Sequence, residues 1–133
     1  MTYMGKAYYP EWLDNLAEDV TLEAAAMDGT AHGAEDVRAI LVVARDQYEH
    51  QEFNYAGPCG ESSYVEDYTS SVLGMPTRVV VLVTFNAAGQ TQHVVVNHRP
   101  RGAMLQFSRL MLEKFADTPY AKHWQGTPSR RPG

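Results

Sequence analysis

The chain has 133 residues, 44% of them hydrophobic and 20% charged, with a formal net charge of -5 and one cysteine, Cys59. This is the make-up of a single globular domain able to bury a core, and it excludes an internal disulfide. The acidic balance argues against nucleic acid as the main partner, because phosphate neutralisation needs a basic surface.

No apolar run approaches the ~18 residues of a membrane helix. The start, Met1 to Ala7, lacks the apolar stretch of a secretory signal. A cytoplasmic protein with no membrane partner is expected. The charge is uneven: seven of the eleven bases lie after residue 98, but only two of the sixteen acids, Glu113 and Asp117. That pattern fits a basic C-terminal helix docked on an acidic remainder, or an anion site near Arg99 and Arg101.

In chain order, Pro10–Ala17 reads as a short helix. Pro10 and Glu11 suit its first turn, and Trp12, Leu13 and Leu16 share one face. Val20–Met27 reads as a strand, turned by Asp28-Gly29. Ala34–Glu49 is the clearest helix, with Val37, Ile40, Leu41, Ala44 and Tyr48 in one apolar stripe. Phe53–Ala56 is a short strand, ended by Gly57-Pro58-Cys59-Gly60.

From Ser63 the period becomes two. Tyr64, Glu66, Tyr68, Ser70 and Val72 fall on one face; Val65, Asp67, Thr69, Ser71 and Leu73 fall on the other. Gly74-Met75-Pro76 turns the chain. A strand pair from Val79 to His98 follows, joined at Asn86 to Gly89 and ended by Pro100. Gly102–Phe115 is a second helix, and Pro119 marks its end. Residues 1–124 are expected to form the domain. The Gly-, Pro- and Arg-rich tail, 125–133, is expected to be disordered. The order is α+β rather than alternating βαβ. A long antiparallel meander curled around one helix would leave a cone-shaped pocket.

Three stretches carry a family resemblance: Leu16-Ala17-Glu18-Asp19-Val20-Thr21-Leu22-Glu23, then Gly29 to Val37, then Phe85-Asn86-Ala87-Ala88-Gly89-Gln90. With these the chain resembles the nuclear transport factor 2-like superfamily, in its SnoaL-like and ketosteroid isomerase-like branch. The resemblance runs from about Pro10 to His98. It implies an α+β cone, a curved mixed sheet wrapped around a long helix. It also implies a buried pocket and a homodimer joined through the sheet.

Ketosteroid isomerase works with a carboxylate base, a protonated carboxylic acid and a tyrosine. Here the matching positions hold Ala24, Val81 and Leu41. The SnoaL-like cyclase acid falls nearest Val96. Neither chemistry transfers residue by residue. Members of the family also carry a longer first helix, and Gly102–Phe115 is an addition.

By the same register the pocket face of the last two strands is Val79, Val81, Val83 and Phe85, then Val94, Val96 and His98. His98 suits acid–base work near neutrality. Glu66 and Tyr68 would face it from the neighbouring strand. If the register around Gly74 is inverted, Asp67 points inward instead. A carboxylate buried there among aromatics would have a raised pKa. Trp12, Tyr48 and Tyr55 join Val81, Val83, Val94 and Val96 as expected ligand-binding wall.

The five histidines show no metal-ligand spacing, no phosphate loop or nucleophile elbow exists, and Cys59 has no basic neighbour. No metal or cofactor is expected. The sequence thus points to an apolar small-molecule ligand that is bound, and isomerised, cyclised or hydrated by His98 with Glu66 and Tyr68. Its alternatives are a non-catalytic binding protein or a dimeric interaction subunit.

Overall fold

The computed structural model describes residues 9–125, together with the backbone of residues 2–3 and 6–7. Apart from exposed Gln125, the expected tail 125–133 lies outside the described residues. A two-stranded ribbon, β1 (Thr2–Tyr3) and β2 (Lys6–Ala7), comes first. A 3-10 turn, Glu11–Asp14, leads into β3 (Leu16–Ala24) and β4 (Ala31–His32). Helix α1 (Ala34–Arg45) follows. Next come β5 (Glu52–Pro58), β6 (Ser63–Val72), β7 (Met75–Phe85) and β8 (Thr91–Arg99). Helix α2 (Arg101–Phe115) and a 3-10 turn, Pro119–His123, end the described chain.

Six strands form one mixed sheet in the order β4-β3-β8-β7-β6-β5. Strands β5 to β8 are the antiparallel meander. Strand β3 runs parallel to β8, and β4 runs antiparallel to β3. Helix α1 packs on β3, and α2 returns over β8 and β7. The core lies between the helices and one sheet face, where Val20, Leu22, Val37, Ile40, Val79, Val83, Val94 and Met111 are at most 1% exposed. Among the described residues no helix is long and apolar enough to cross a membrane.

The N-terminal expectations need correction. Pro10–Ala17 is not a helix but one 3-10 turn. The following strand starts at Leu16, earlier than Val20, and ends at Ala24, earlier than Met27. The turn stays short because its exit is tied to the sheet. The Thr91 hydroxyl donates to Trp12 O at 2.8 Å, and Thr91 N donates to Asn15 O at 2.8 Å. Helix α1 also stops at Arg45 rather than Glu49, with the Asp46 and Gln47 amides turning back to Val43 and Ala44 carbonyls. Tyr48 therefore reaches the core from beyond the helix end, at 8% exposure. The β6–β7 hairpin turns on Leu73-Gly74 alone; Met75 and Pro76 already belong to β7. Gly74 has φ +77, a conformation that suits glycine.

Candidate functional site

Strand β6 alternates strictly, and Glu66, Tyr68, Ser70 and Val72 are all buried, so this face is the inner one. Asp67 points to the opposite face, where Arg78 donates to both its oxygens at 3.0 Å. That guanidinium holds the Asp67 carboxyl below the usual range. The hairpin register carries the inner face across the sheet in rows. Tyr68 pairs with Val79 and Val79 with His98; Glu66 pairs with Val81, Val81 with Val96, and Val96 with Ala24. Glu66 and His98 thus face one side from β6 and β8, with the valines of β7 between them.

These rows form one wall of a cavity of about 60 Å³. The other wall comes from the 3-10 turn, α1 and the C-terminal segment: Trp12, Leu13, Ile40, Leu41, Phe107 and Trp124 among others. Of the residues expected from the sequence, Trp12, Tyr48, Glu66, Tyr68, Val81, Val96 and His98 line it. So do Ala24 and Leu41.

Three expected wall residues do not. Val83 and Val94 pair with each other and are 0% exposed, one row further toward the β7–β8 hairpin, in solid core. Tyr55 is 49% exposed, and its hydroxyl donates to Pro58 O at 2.7 Å. The cause is a bulge in β5. Phe53 opposes inward-facing Tyr68, but after the irregularity Tyr55 opposes outward-facing Asp67. One extra residue flips the alternation. Arg99 and Arg101 are exposed and stand apart from the cavity.

The cavity's polar groups are connected. Trp12 Nε1 donates to Glu66 Oε2 at 2.9 Å. The Tyr48 and Tyr68 rings meet edge-on at 5.5 Å between centroids. The Tyr48 hydroxyl and His98 Nε2 are hydrogen-bonded at 2.8 Å. Burial drives both phenols well above their ordinary range, with the Glu66 charge adding to the rise. Burial also pushes the His98 imidazole down to about 4. His98 is therefore neutral at pH 7. Phe107 stacks on the imidazole at 4.1 Å between centroids.

Gln51, Phe107 and Trp124 were missed as site residues in the sequence. Phe107 was legible only as a member of an apolar helix face. Trp124 carried a signal, a large aromatic side chain at the edge of a polar tail. Among the described residues no group of three or more acids, histidines or cysteines could hold a metal ion.

No protein-family model matches the sequence, and no curated protein matches it significantly. Solved structures do match its fold. An uncharacterised bacterial protein with a cystatin-like fold from Silicibacter pomeroyi DSS-3 superposes with a TM-score of 0.73 at 21% identity, over 80% of this chain and 74% of that one. A steroid delta-isomerase from Pseudomonas aeruginosa gives 0.72 at 17% identity, over 78% and 77%. An NTF-2 like protein of unknown function from Burkholderia xenovorans LB400 gives 0.54 at 16% identity, over 68% and 73%. With its mixed sheet wrapped on α1, the chain shares the fold of these structures, an NTF-2 like protein among them.

Proposed function

We propose that the chain binds a small molecule in the cone cavity and acts on it by isomerase-type proton transfer. The observation that supports this most is the pairing of a buried carboxylate and a buried neutral imidazole on one largely apolar cavity. Their exposures are 3% for Glu66 and 7% for His98.

The roles differ from a histidine-centred scheme. An imidazole titrating near 4 is a weak base at pH 7. Glu66 is the better proton acceptor, and Trp12 orients it. Neutral His98, fixed by Tyr48, polarises the substrate by donating from Nδ1. Tyr68 lines the same cavity and packs edge-on against Tyr48. A 60 Å³ cavity is smaller than the ~150 Å³ that admits benzene. The bound part of the molecule is therefore only a few heavy atoms, and a steroid nucleus does not fit without movement of the wall.

The test is ligand-induced thermal stabilisation across a panel of small ketones, alcohols and hydrocarbons. Shifts that vanish on filling the cavity with Val96→Phe support the reading. A panel without any shift contradicts it. Binding without proton transfer would make the protein a receptor, the reading favoured by the loss of the family's acids at Ala24 and Val81.

The outer sheet face carries the assembly part of the proposal. Val65, Leu82 and Val95 lie in one row across β6, β7 and β8, half-buried or exposed, with Leu82 at 38%. A second copy covering this row gives a homodimer. Light scattering should report twice the 14.9 kDa chain mass, and Leu82→Lys should return it to the monomer value.

A further inference from the structure

A buried indole N–H can only donate, and leaving it without an acceptor is costly. Trp124 is 5% exposed, and its Nε1 has no hydrogen-bond partner among the described residues. It lines the cavity. The ring is held from several sides. Phe115 stacks on it and Phe107 meets it edge-on, each at 6.4 Å between centroids. The backbone beside it is tied to the β3–β4 turn, where Asp28 N donates to His123 O at 2.8 Å. The indole is thus fixed with its donor unused.

A second cavity donor is in the same condition. His98 Nδ1 is buried and has no partner among the described residues. With the Tyr48 hydroxyl as the donor to Nε2, the neutral ring carries its proton on Nδ1. Phe107 lies between the two rings, stacked on His98 and edge-on to Trp124. The two unused donors therefore flank one aromatic ring on one cavity wall. Glu66 on the same cavity disfavours an anionic occupant.

We propose that Trp124, supplied by the C-terminal segment after α2, is a ligand-binding residue whose Nε1–H, together with His98 Nδ1–H, holds an acceptor oxygen of an uncharged small ligand. This rests on the proposed small-molecule cavity and makes its ligand a polar-headed molecule, not a plain hydrocarbon. The C-terminal segment is then part of the binding site as well as a cover over the sheet. Gln51 Oε1, also buried without a partner, offers the complementary acceptor to a ligand hydroxyl.

The test uses the full chain labelled with nitrogen-15 and two four-heavy-atom probes of the same shape, acetone and isobutene. The chain has two tryptophans, so two indole signals are expected, and Trp124→Phe assigns them. Acetone should move the Trp124 indole proton downfield and leave that of Trp12, already bonded to Glu66, nearly still. Isobutene should produce no downfield shift. Trp124→Phe keeps the ring stacking and should weaken acetone roughly tenfold while leaving the alkene unchanged. If acetone binds but the Trp124 signal ignores it, or both probes bind equally, the assignment of Trp124 is overturned and the cavity reading survives. If neither probe binds, the cavity reading itself fails. The wild-type indole signal gives its answer even if the variant does not fold.

Discussion

Tyr48 and His98 form a buried pair in which the phenol hydroxyl and Nε2 are hydrogen-bonded at 2.8 Å and the two rings stack at 5.8 Å with 23° between their planes. The imidazole is held neutral by burial, with its proton at about 4 rather than 6.5. The pair therefore couples folding to pH. Above about pH 6.5 neither the folded nor the unfolded chain carries this proton. As pH falls from about 6.5 to 4, the unfolded chain binds it and the folded chain does not, so stability is lost. Below about 4 both bind it and the loss is complete, at about 3 kcal/mol. Urea unfolding at pH 7 and pH 4.5 should show wild type losing roughly 2 kcal/mol more than His98→Phe. Equal losses would mean that His98 does not titrate as a buried neutral group.

Trp12 and Glu66 are joined across 54 positions of sequence by a 2.9 Å bond from the indole to the carboxylate. Trp12→Phe keeps most of the apolar bulk and removes the donor. It should cost about 1–3 kcal/mol in urea unfolding at pH 7. A variant as stable as wild type would show that the bond contributes little to holding the carboxylate in the core.

Phe107 stacks on both members of the first pair, at 4.1 Å from His98 and 5.8 Å from Tyr48. Phe107→Ala removes both contacts and should destabilise by about 3–5 kcal/mol. The same truncation enlarges the cavity, so larger apolar probes should gain affinity over wild type. Thermal shift with benzene reads this directly.

Asp67 and Glu66 are sequence neighbours on opposite faces of β6. Asp67 meets Arg78 on the outer face, where the pair is 25% and 44% exposed. Exposed pairs contribute ~0–1 kcal/mol. Asp67→Asn should therefore cost under about 1 kcal/mol and leave ligand binding unchanged, whereas Glu66→Gln should change binding. A reversed pattern would mean that the β6 register is shifted by one.

The site was legible where alternation runs unbroken. From Tyr64 to Val72 the period of two survives into the structure because a two-residue turn joins β6 to β7 without a slip, and the same phase carries over to Val81, Val96 and His98. It failed at Tyr55, where a bulge between Phe53 and Tyr55 changes the phase and leaves no trace in residue types. It failed again at Pro10–Ala17, where Trp12, Leu13 and Leu16 fit helical spacing equally well. There the strand is imposed by parallel pairing with β8, a contact more than 70 residues away. Trp124 stood out only as an aromatic beside a polar tail, and its place in the site was not legible for a related reason. Its place in the cavity depends on α2 folding back over the sheet, and no local pattern encodes that return.

The measurement that bears most directly on the account is hydrogen–deuterium exchange at the α-carbon of a small ketone in heavy water, followed by NMR. Wild type should exchange the α-protons of acetone above the buffer rate, and Glu66→Gln should lower that rate by roughly 100-fold or more. An unchanged rate in Glu66→Gln, or a wild-type rate equal to buffer, would contradict the assignment of Glu66 as the proton acceptor.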